Sequence, residues 1–328
     1  MPNTLAHLGV QALLTRAAIP GMDLKWVWAG CVLPDLPWIL QRLVEGRIAG
    51  LSAFDLRLYA VVQSSLFVTL LAAGALALLS RWPGRTFATL ALGAVLHLLL
   101  DATETKWANG VLLFAPASWE LLNFGLYWPD GWTGHLLTAL GAVHVAHAVW
   151  KARRHRPAPI RAPRPDRAVA AAGLCAVYML LPLAFLDRAA AQDLHHVATL
   201  RGDVARSGRA IEIDRGQVIA TGAQGAIIRP GTGPALAVIA DGLDGARTVS
   251  LRGRFVDHDT IRATALHVHA TGQRDRLTLV GLVVVLGWWV VWAWRAGVLS
   301  AVARSLAPAR PRPPRSAPHP RSRRRPPR

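Results

Sequence analysis

Cysteine is nearly absent from this 328-residue chain. The two that occur, Cys31 and Cys175, lie in apolar segments, which excludes a disulfide framework and a cysteine-built metal centre. Acidic residues are scarce: 19 Asp and Glu stand against 37 Lys and Arg, for a formal charge of +18. Tyrosine is rare too, three residues against thirteen tryptophans. The N-terminus has no basic stretch ahead of its first apolar run and no obvious cleavage site. No cleavable signal peptide is therefore expected, and the first hydrophobic helices serve as uncleaved insertion signals. What the chain has in quantity is hydrophobic residues, 52% of the total, gathered into long windows.

Crossing roughly 30 Å of hydrocarbon takes about 20 residues of helix. Leu56 to Leu79, Thr86 to Leu100, Trp132 to Trp150, Ala168 to Leu186 and Leu277 to Gly297 read as spans. Leu5 to Ile19 and Trp26 to Val44 precede them, the first short and carrying Arg16, so that it spans at a tilt or lies at the interface. The expected fold is mainly α, a polytopic membrane helix bundle of about seven spans with a small external all-β domain inserted before the last. In residue ranges this gives a bundle with a metal site over 1–150 and a basic cytoplasmic linker over 151–167. A transmembrane helix over 168–187, an external β domain over 188–276, a transmembrane helix over 277–298 and a disordered basic cytoplasmic tail over 299–328 complete the chain.

Orientation follows from the basic segments. "RWPGR" (Arg81 to Arg85), "KARRHRPAPIRAPRPDR" (Lys151 to Arg167) and the tail after Arg304 fall on one side when the spans are threaded between them. The positive-inside rule makes that side cytoplasmic and puts Ala102 to Gly131 and Asp187 to Arg276 outside. The expected location is an integral cell membrane of the bacterial inner-membrane type with a cytoplasmic C-terminus. The tail has nothing to bury. Its expected partner is anionic lipid, each basic residue near the surface contributing about 1 kcal/mol. Nucleic acid is the weaker rival, because basic runs are usually solvated and unspecific.

Between Asp187 and Arg276 the pattern turns to short alternating runs, "RAIEIDRGQVIAT", "GAIIRP", "PALAVIAD" and "RTVSLRGRFVDHDTIRATALHVHATG". Roughly five or six strands suggest a small barrel or sandwich, with an OB-like Greek-key barrel preferred. His267 and His269 are two apart on one strand and share a face, but spacing supplies no third ligand. The solvent-facing reading is preferred, and neither they nor His195 and His196 receive a role.

The polar residues inside the apolar windows carry more information. In "AVLHLLLDATETKWANGVLLFAP", His97 and Asp101 are four apart and share a helix face. A charged group at a membrane-helix centre costs about 2.5 to 3.5 kcal/mol, so such residues are paired or functional. His7 in "NTLAHLGVQ", Asp35 in "GCVLPDLPW" and Gln63 in "VVQSSLF" join them. Pro34 and Pro37 bracket Asp35 and break its helix where a carboxylate enters the span. His7, Asp35, His97 and Asp101 form a two-histidine, two-carboxylate set of the kind that holds a divalent metal, zinc first, with manganese and magnesium as alternatives. From spacing alone, a His–Asp pair satisfying itself inside the bundle is the simpler reading.

The order of these pieces over Met1 to Trp128 resembles the membrane-bound metal-dependent hydrolase family of the YdjM type. "AGCVLPDLPW" looks like its G-x-x-L-P-D segment, and "HLLLDATETKWANGVLLFAP" is similar to its H-x-x-x-D, Thr, Gly and L-x-P signature. The resemblance implies metal-assisted hydrolysis with His7, Asp35, His97 and Asp101 as ligands. Gln63 stands where the family has histidine, and the Thr after the H-x-x-x-D pair is shifted, leaving Thr103 and Thr105. Glu104 is a nearby carboxylate for acid–base work. "APASWELLNFGLYWPDGW" reads as an aromatic belt at the outer interface or as a lid gripping a lipid or lipid-linked ester. His135, His144 and His147 read as core histidines, with an inward extension of the site by His144 and His147, three apart on one face, as the alternative. The rival to the enzyme is a non-enzymatic membrane scaffold whose outer β domain binds an envelope partner.

Overall fold

The computed structural model describes residues 3–154, 164–222, 224–270 and 272–295. The tail and most of the basic linker, with the lipid partner expected for the tail, lie outside the described residues.

Eleven helices and five strands occur among the described residues. Helix α1 (Thr4–Ala18) is started by Asn3, whose side chain accepts from the Ala6 N–H, and α2 (Leu24–Val32) by Asp23 in the same way with Lys25. Pro34 sits in a 3₁₀ turn, Leu33–Asp35, that separates α2 from α3 (Leu36–Val44), as the two prolines require. Next come α4 (Ala53–Gln63), α5 (Leu66–Leu78) and α6 (Pro83–Thr103), then an irregular loop and α7 (Trp132–Arg153). Helix α8 (Pro165–Leu180) leads through a 3₁₀ turn to the short α9 (Leu186–Ala191) and α10 (Val197–Arg201). After the barrel, α11 (Gln273–Arg295) closes the described chain.

Three helical segments are long and apolar enough to cross a membrane, α6, residues 165–191 and α11, and the pair α4–α5, bent by 69°, makes up to four. The seven-span expectation is not supported. Helix α1 has only 15 residues, about 22 Å of rise, and Trp26 to Val44 divides at Pro34 into two helices of nine. Helix α7 has 22 residues but carries His135, His144, His147, Lys151 and Arg153, which dilute its apolar character.

The bundle is held at two places by glycines in face-to-face contact. A Cβ on Gly9 of α1 would lie 2.0 Å from the Cα of Gly141 on α7, and one on Gly93 of α6 would lie 2.9 Å from Gly30 on α2. Small residues let helix backbones approach this closely, and close approach is what lets side chains on different helices share one site.

The five strands β1 (Ala210–Gly222), β2 (Gly225–Arg229), β3 (Leu236–Ile239), β4 (Thr248–Phe255) and β5 (Thr260–Val268) form a closed barrel in the order β1-β2-β3-β5-β4. All neighbours are antiparallel except β3 and β5, which run parallel with Val238 opposite Ile261. A small barrel before the last apolar helix is what the alternating runs predict. Inward residues Ile211, Ile213, Ile228, Leu236, Leu251, Phe255 and Ile261 fill it, and Phe54 of α4 and Leu200 of α10 pack against the same core. Leu251 is fully buried. Leu251→Ala is expected to destabilise the barrel by about 2 to 5 kcal/mol through lost burial and the cavity left behind. Chemical denaturation followed by the barrel's circular dichroism measures it, and a loss under 1 kcal/mol would contradict this packing.

Candidate metal centre

The 3₁₀ turn at Pro34 makes Asp35 the residue preceding α3, yet its carboxylate does not cap that helix. It turns instead to α6, where Asp35 Oδ1 lies 3.2 Å from His97 Nε2. From α1, His7 Nε2 lies 3.3 Å from Asp101 Oδ1. The two imidazoles stack, with ring centroids 4.1 Å apart. Four residues from three places in the sequence thus converge in the bundle interior, and all four are buried.

The His97–Asp101 pair is not a self-satisfied one. Its own separation, Nε2 to Oδ2, is 3.7 Å, longer than the reach of each member to a different helix. The ring of His97 is held by its other nitrogen: Nδ1 donates to the Cys31 carbonyl oxygen at 2.7 Å. A carbonyl only accepts, so Nδ1 carries a hydrogen and Nε2 is the nitrogen that faces Asp35 and Asp101. Two carboxylates facing that nitrogen require a proton or a cation between them. A histidine whose outer nitrogen is held by a backbone carbonyl is also the usual arrangement around a metal. On His7, the Gln11 amide contacts Nδ1, which leaves Nε2 to the centre.

His7 Nε2, His97 Nε2, Asp35 Oδ1 and Asp101 Oδ1 are all buried without a hydrogen-bond partner. Unmet buried polar atoms are costly, about 1 to 3 kcal/mol each, and of these four only Asp101 Oδ1 has a cation beside it, Lys106 Nζ at 3.3 Å, so a shared divalent cation fits the cluster. His7, His97 and Asp101 each offer a ligand atom within 4.8 Å of the others, and Asp35 joins through His97.

Lys106, just beyond α6, adds a fixed charge. Its Nζ lies 3.3 Å from Asp101 and 3.4 Å from Glu104. Burial opposes its charge, but Asp101 and Glu104 outweigh burial and hold the ammonium above the ordinary lysine range. A raised lysine contributes its full stability below the unfolded value of about 10.4 and loses it only as pH rises through the folded value, so at neutral pH the contribution is complete. Lys106→Met is expected to destabilise the protein by about 3 to 5 kcal/mol, because it removes the ammonium from beside two buried carboxylates, Asp101 and Glu104. Thermal unfolding at pH 7 tests this, and an unchanged midpoint would refute it.

The other residues singled out from the sequence divide. Glu104 is buried and reaches the centre through Lys106. Gln63 does not join: its amide nitrogen is committed to Tyr59 Oη at 3.0 Å and to the Tyr178 carbonyl. Thr103 bonds back to the Leu100 carbonyl, and neither it nor Thr105 lines the cavity. His135 bonds to the Gly131 carbonyl, and His144 and His147, on α7, line neither cavity. In the aromatic stretch, Trp119 is buried in the core, so only part of it is free to form a belt.

Asp35, His97 and Asp101 form one wall of a cavity of about 430 Å³ between bundle and barrel. The loop after α6 ties the barrel over it: the Ala108 N–H donates to Glu212 and the Asn109 amide to Asp214, both on β1. A smaller cavity of about 210 Å³, lined by Trp38, Ile39, Leu43 and Leu282, shares Asp35, Arg42 and Arg274 with the first.

His195, given no role from the sequence, also lines the main cavity. Asp193, His195 and His196 all have positive φ, near +50°, a conformation uncommon for non-glycine residues. Arg57 donates to His195 Nδ1 at 2.8 Å, so the ring's hydrogen is on Nε2. Burial first, then Arg57, lowers His195 well below the ordinary imidazole range and keeps it neutral. Trp38 stacks on its face. The adjacent pair in the sequence was the only signal, and it carries no geometry.

No protein-family model, curated protein or solved structure matches the chain. The family resemblance therefore rests on the motifs themselves.

Proposed function

We propose that the chain is a membrane-bound metal-dependent hydrolase acting on a lipid or lipid-linked ester. The observation that carries this reading is the convergence of four buried ligand residues, His7, Asp35, His97 and Asp101, three of which line the larger cavity. His7, His97, Asp101 and Asp35 would hold a divalent cation, zinc before manganese or magnesium given the mixed nitrogen and oxygen donors. When bound with an open position, such an ion activates water and polarises a carbonyl or phosphoryl oxygen.

The protein's own part is separable from the ion's. The Cys31 carbonyl holds His97 with its Nε2 facing inward. Lys106 supplies positive charge beside Asp101. His195 offers its Nε2–H to a substrate oxygen from the facing wall, with Arg57 and Trp38 keeping it neutral and oriented. The smaller apolar cavity accommodates the start of an acyl chain while the ester lies in the larger polar one. We place the barrel, which we read as OB-like from its five strands and its parallel β3–β5 contact, on the outer side of a bacterial inner-membrane-type bilayer with the basic segments in the cytoplasm.

The test is hydrolysis by detergent-purified protein of a panel of phospholipids and lipid-linked phosphate esters, metal-stripped and then reloaded with zinc, manganese or magnesium. Turnover is expected only after reloading and is expected to vanish in Asp101→Asn. Metal uptake with no turnover on any member of the panel would favour the scaffold reading, in which the bundle anchors the barrel for an envelope partner.

A further inference from the structure

A second group of metal-ligand side chains forms where the barrel meets the bundle, separate from the centre described above. Asp130, in the turn before α7, reaches across to two histidines at the end of β5. Asp130 Oδ1 lies 3.1 Å from His267 Nε2, and Oδ2 lies 3.2 Å from His269 Nδ1. Oδ2 also accepts the Ala270 N–H at 3.0 Å. The three ligand atoms lie within 4.8 Å of one another, and His269 is buried.

Both histidines are held in place. Trp128 lies flat on the His267 ring, with centroids 3.8 Å apart and planes 1° from parallel. His269 Nε2 lies 2.8 Å from Ser250 Oγ, which in turn lies 3.3 Å from Asp214 Oδ1 and accepts the Arg215 N–H at 3.0 Å. A serine hydroxyl has one hydrogen and two lone pairs. With the hydrogen given to Asp214 and one lone pair taken by Arg215, the other accepts from His269, so Nε2 carries the ring hydrogen. His269 Nδ1 then turns a lone pair toward the Asp130 carboxylate. Two electron-rich atoms 3.2 Å apart need positive charge between or beside them, either a proton on Nδ1 or a cation. Arg215 Nη1, 3.3 Å from Nδ1, is the rival source of that charge. It is presented by a bulge in β1 where Arg215 has φ +53°.

The spacing is compatible with a metal as well as with hydrogen bonds. Ligands 2.0–2.1 Å from zinc at tetrahedral angles stand about 3.4 Å apart, close to the two Asp130–histidine separations, and charge-assisted hydrogen bonds to carboxylates are typically shorter. The Ser250–Asp214 chain behind His269 is the kind of support that orients a metal-bound imidazole.

We propose that Asp130, His267 and His269 bind a second divalent cation, zinc by its mixed donors, which fastens the barrel to the bundle with water completing its shell. Full-length protein in detergent, stripped with chelator and reloaded with Zn²⁺, tests this by zinc content. His97→Ala/Asp101→Ala, which dismantles the first centre, is expected to retain about one zinc per chain. Adding Asp130→Asn and His267→Ala is expected to remove it. Absence of zinc from the His97→Ala/Asp101→Ala protein, or zinc unaffected by the two added changes, would overturn the proposal. Should that background fail to fold, His267→Ala in the otherwise native chain must lower the zinc content by about one, and no loss overturns the proposal equally. Ser250→Ala is expected to weaken this zinc about 10-fold, as loss of a supporting group typically does. Arg215→Gln separates the rival: zinc binding tightens if a cation occupies the site, whereas a lower melting temperature with no zinc bound would show that Arg215 alone balances the cluster.

Discussion

His97→Leu, in detergent-purified protein reloaded with zinc, is expected to abolish metal binding at the bundle centre, and Asp101→Leu is expected to do so to a similar degree. Each removes a ligand from a group whose atoms lie within 4.8 Å of one another, so neither leaves a complete shell. To keep the readout on this centre, the variants are made with Asp130→Asn and His267→Ala in place. Stability supplies the second readout. If His97 and Asp101 served only each other, the His97→Leu/Asp101→Leu protein would be close to neutral, since an apolar pair often packs as well as a buried polar one. The geometry argues otherwise, because His97 also faces Asp35 at 3.2 Å and Asp101 also faces His7 and Lys106 at 3.3 Å. The double replacement strands those partners and is expected to cost at least as much as either single one, about 1 to 3 kcal/mol for each buried group left unmet. A stable double variant with unchanged metal content, or a parent protein that never takes up metal, would end the metal-centre reading.

Gly93→Val is expected to disable the same centre without touching a ligand. A Cβ there would lie 2.9 Å from the Gly30 backbone, so α2 must move away from α6. Gly30 precedes Cys31, whose carbonyl orients His97, and Gly93 lies one turn before His97. Overpacking of this kind costs about 1 to 3 kcal/mol, and loss of the group orienting a ligand typically weakens metal binding by about 10- to 100-fold. Gly84→Val on the same helix is the control, because a Cβ there meets nothing within 4 Å. Zinc titration of the two variants decides the point: equal affinities would mean that the close helix contact does not support the centre.

Much of the candidate site could be read along the chain. His97 and Asp101 share a face because helical geometry puts residues four apart there, and Asp35 departs from regular helix because prolines flank it. The alternating runs after Asp187 foretold a small barrel, since strands with one buried face repeat every two residues. The span count was less legible. Apolar composition marks a segment that avoids water, but the prolines, the bend of 69° between α4 and α5 and the histidines of α7 mean that an apolar window need not be one continuous apolar helix.

Local sequence therefore determined which residues turn to a common helix face, where helices break and where the chain changes from helix to strand, because those features depend on neighbours a few positions apart. Only the tertiary structure decided that His97 pairs more closely with Asp35 than with Asp101, that Gln63 is spent on Tyr59 and Tyr178, and that His195 reaches the cavity. It alone brought Asp130 to His267, 137 positions away. Such contacts arise from the close approach of glycine-lined helices and the closure of a barrel over a loop, and packing of surfaces distant in sequence leaves no periodic trace in the order of residues.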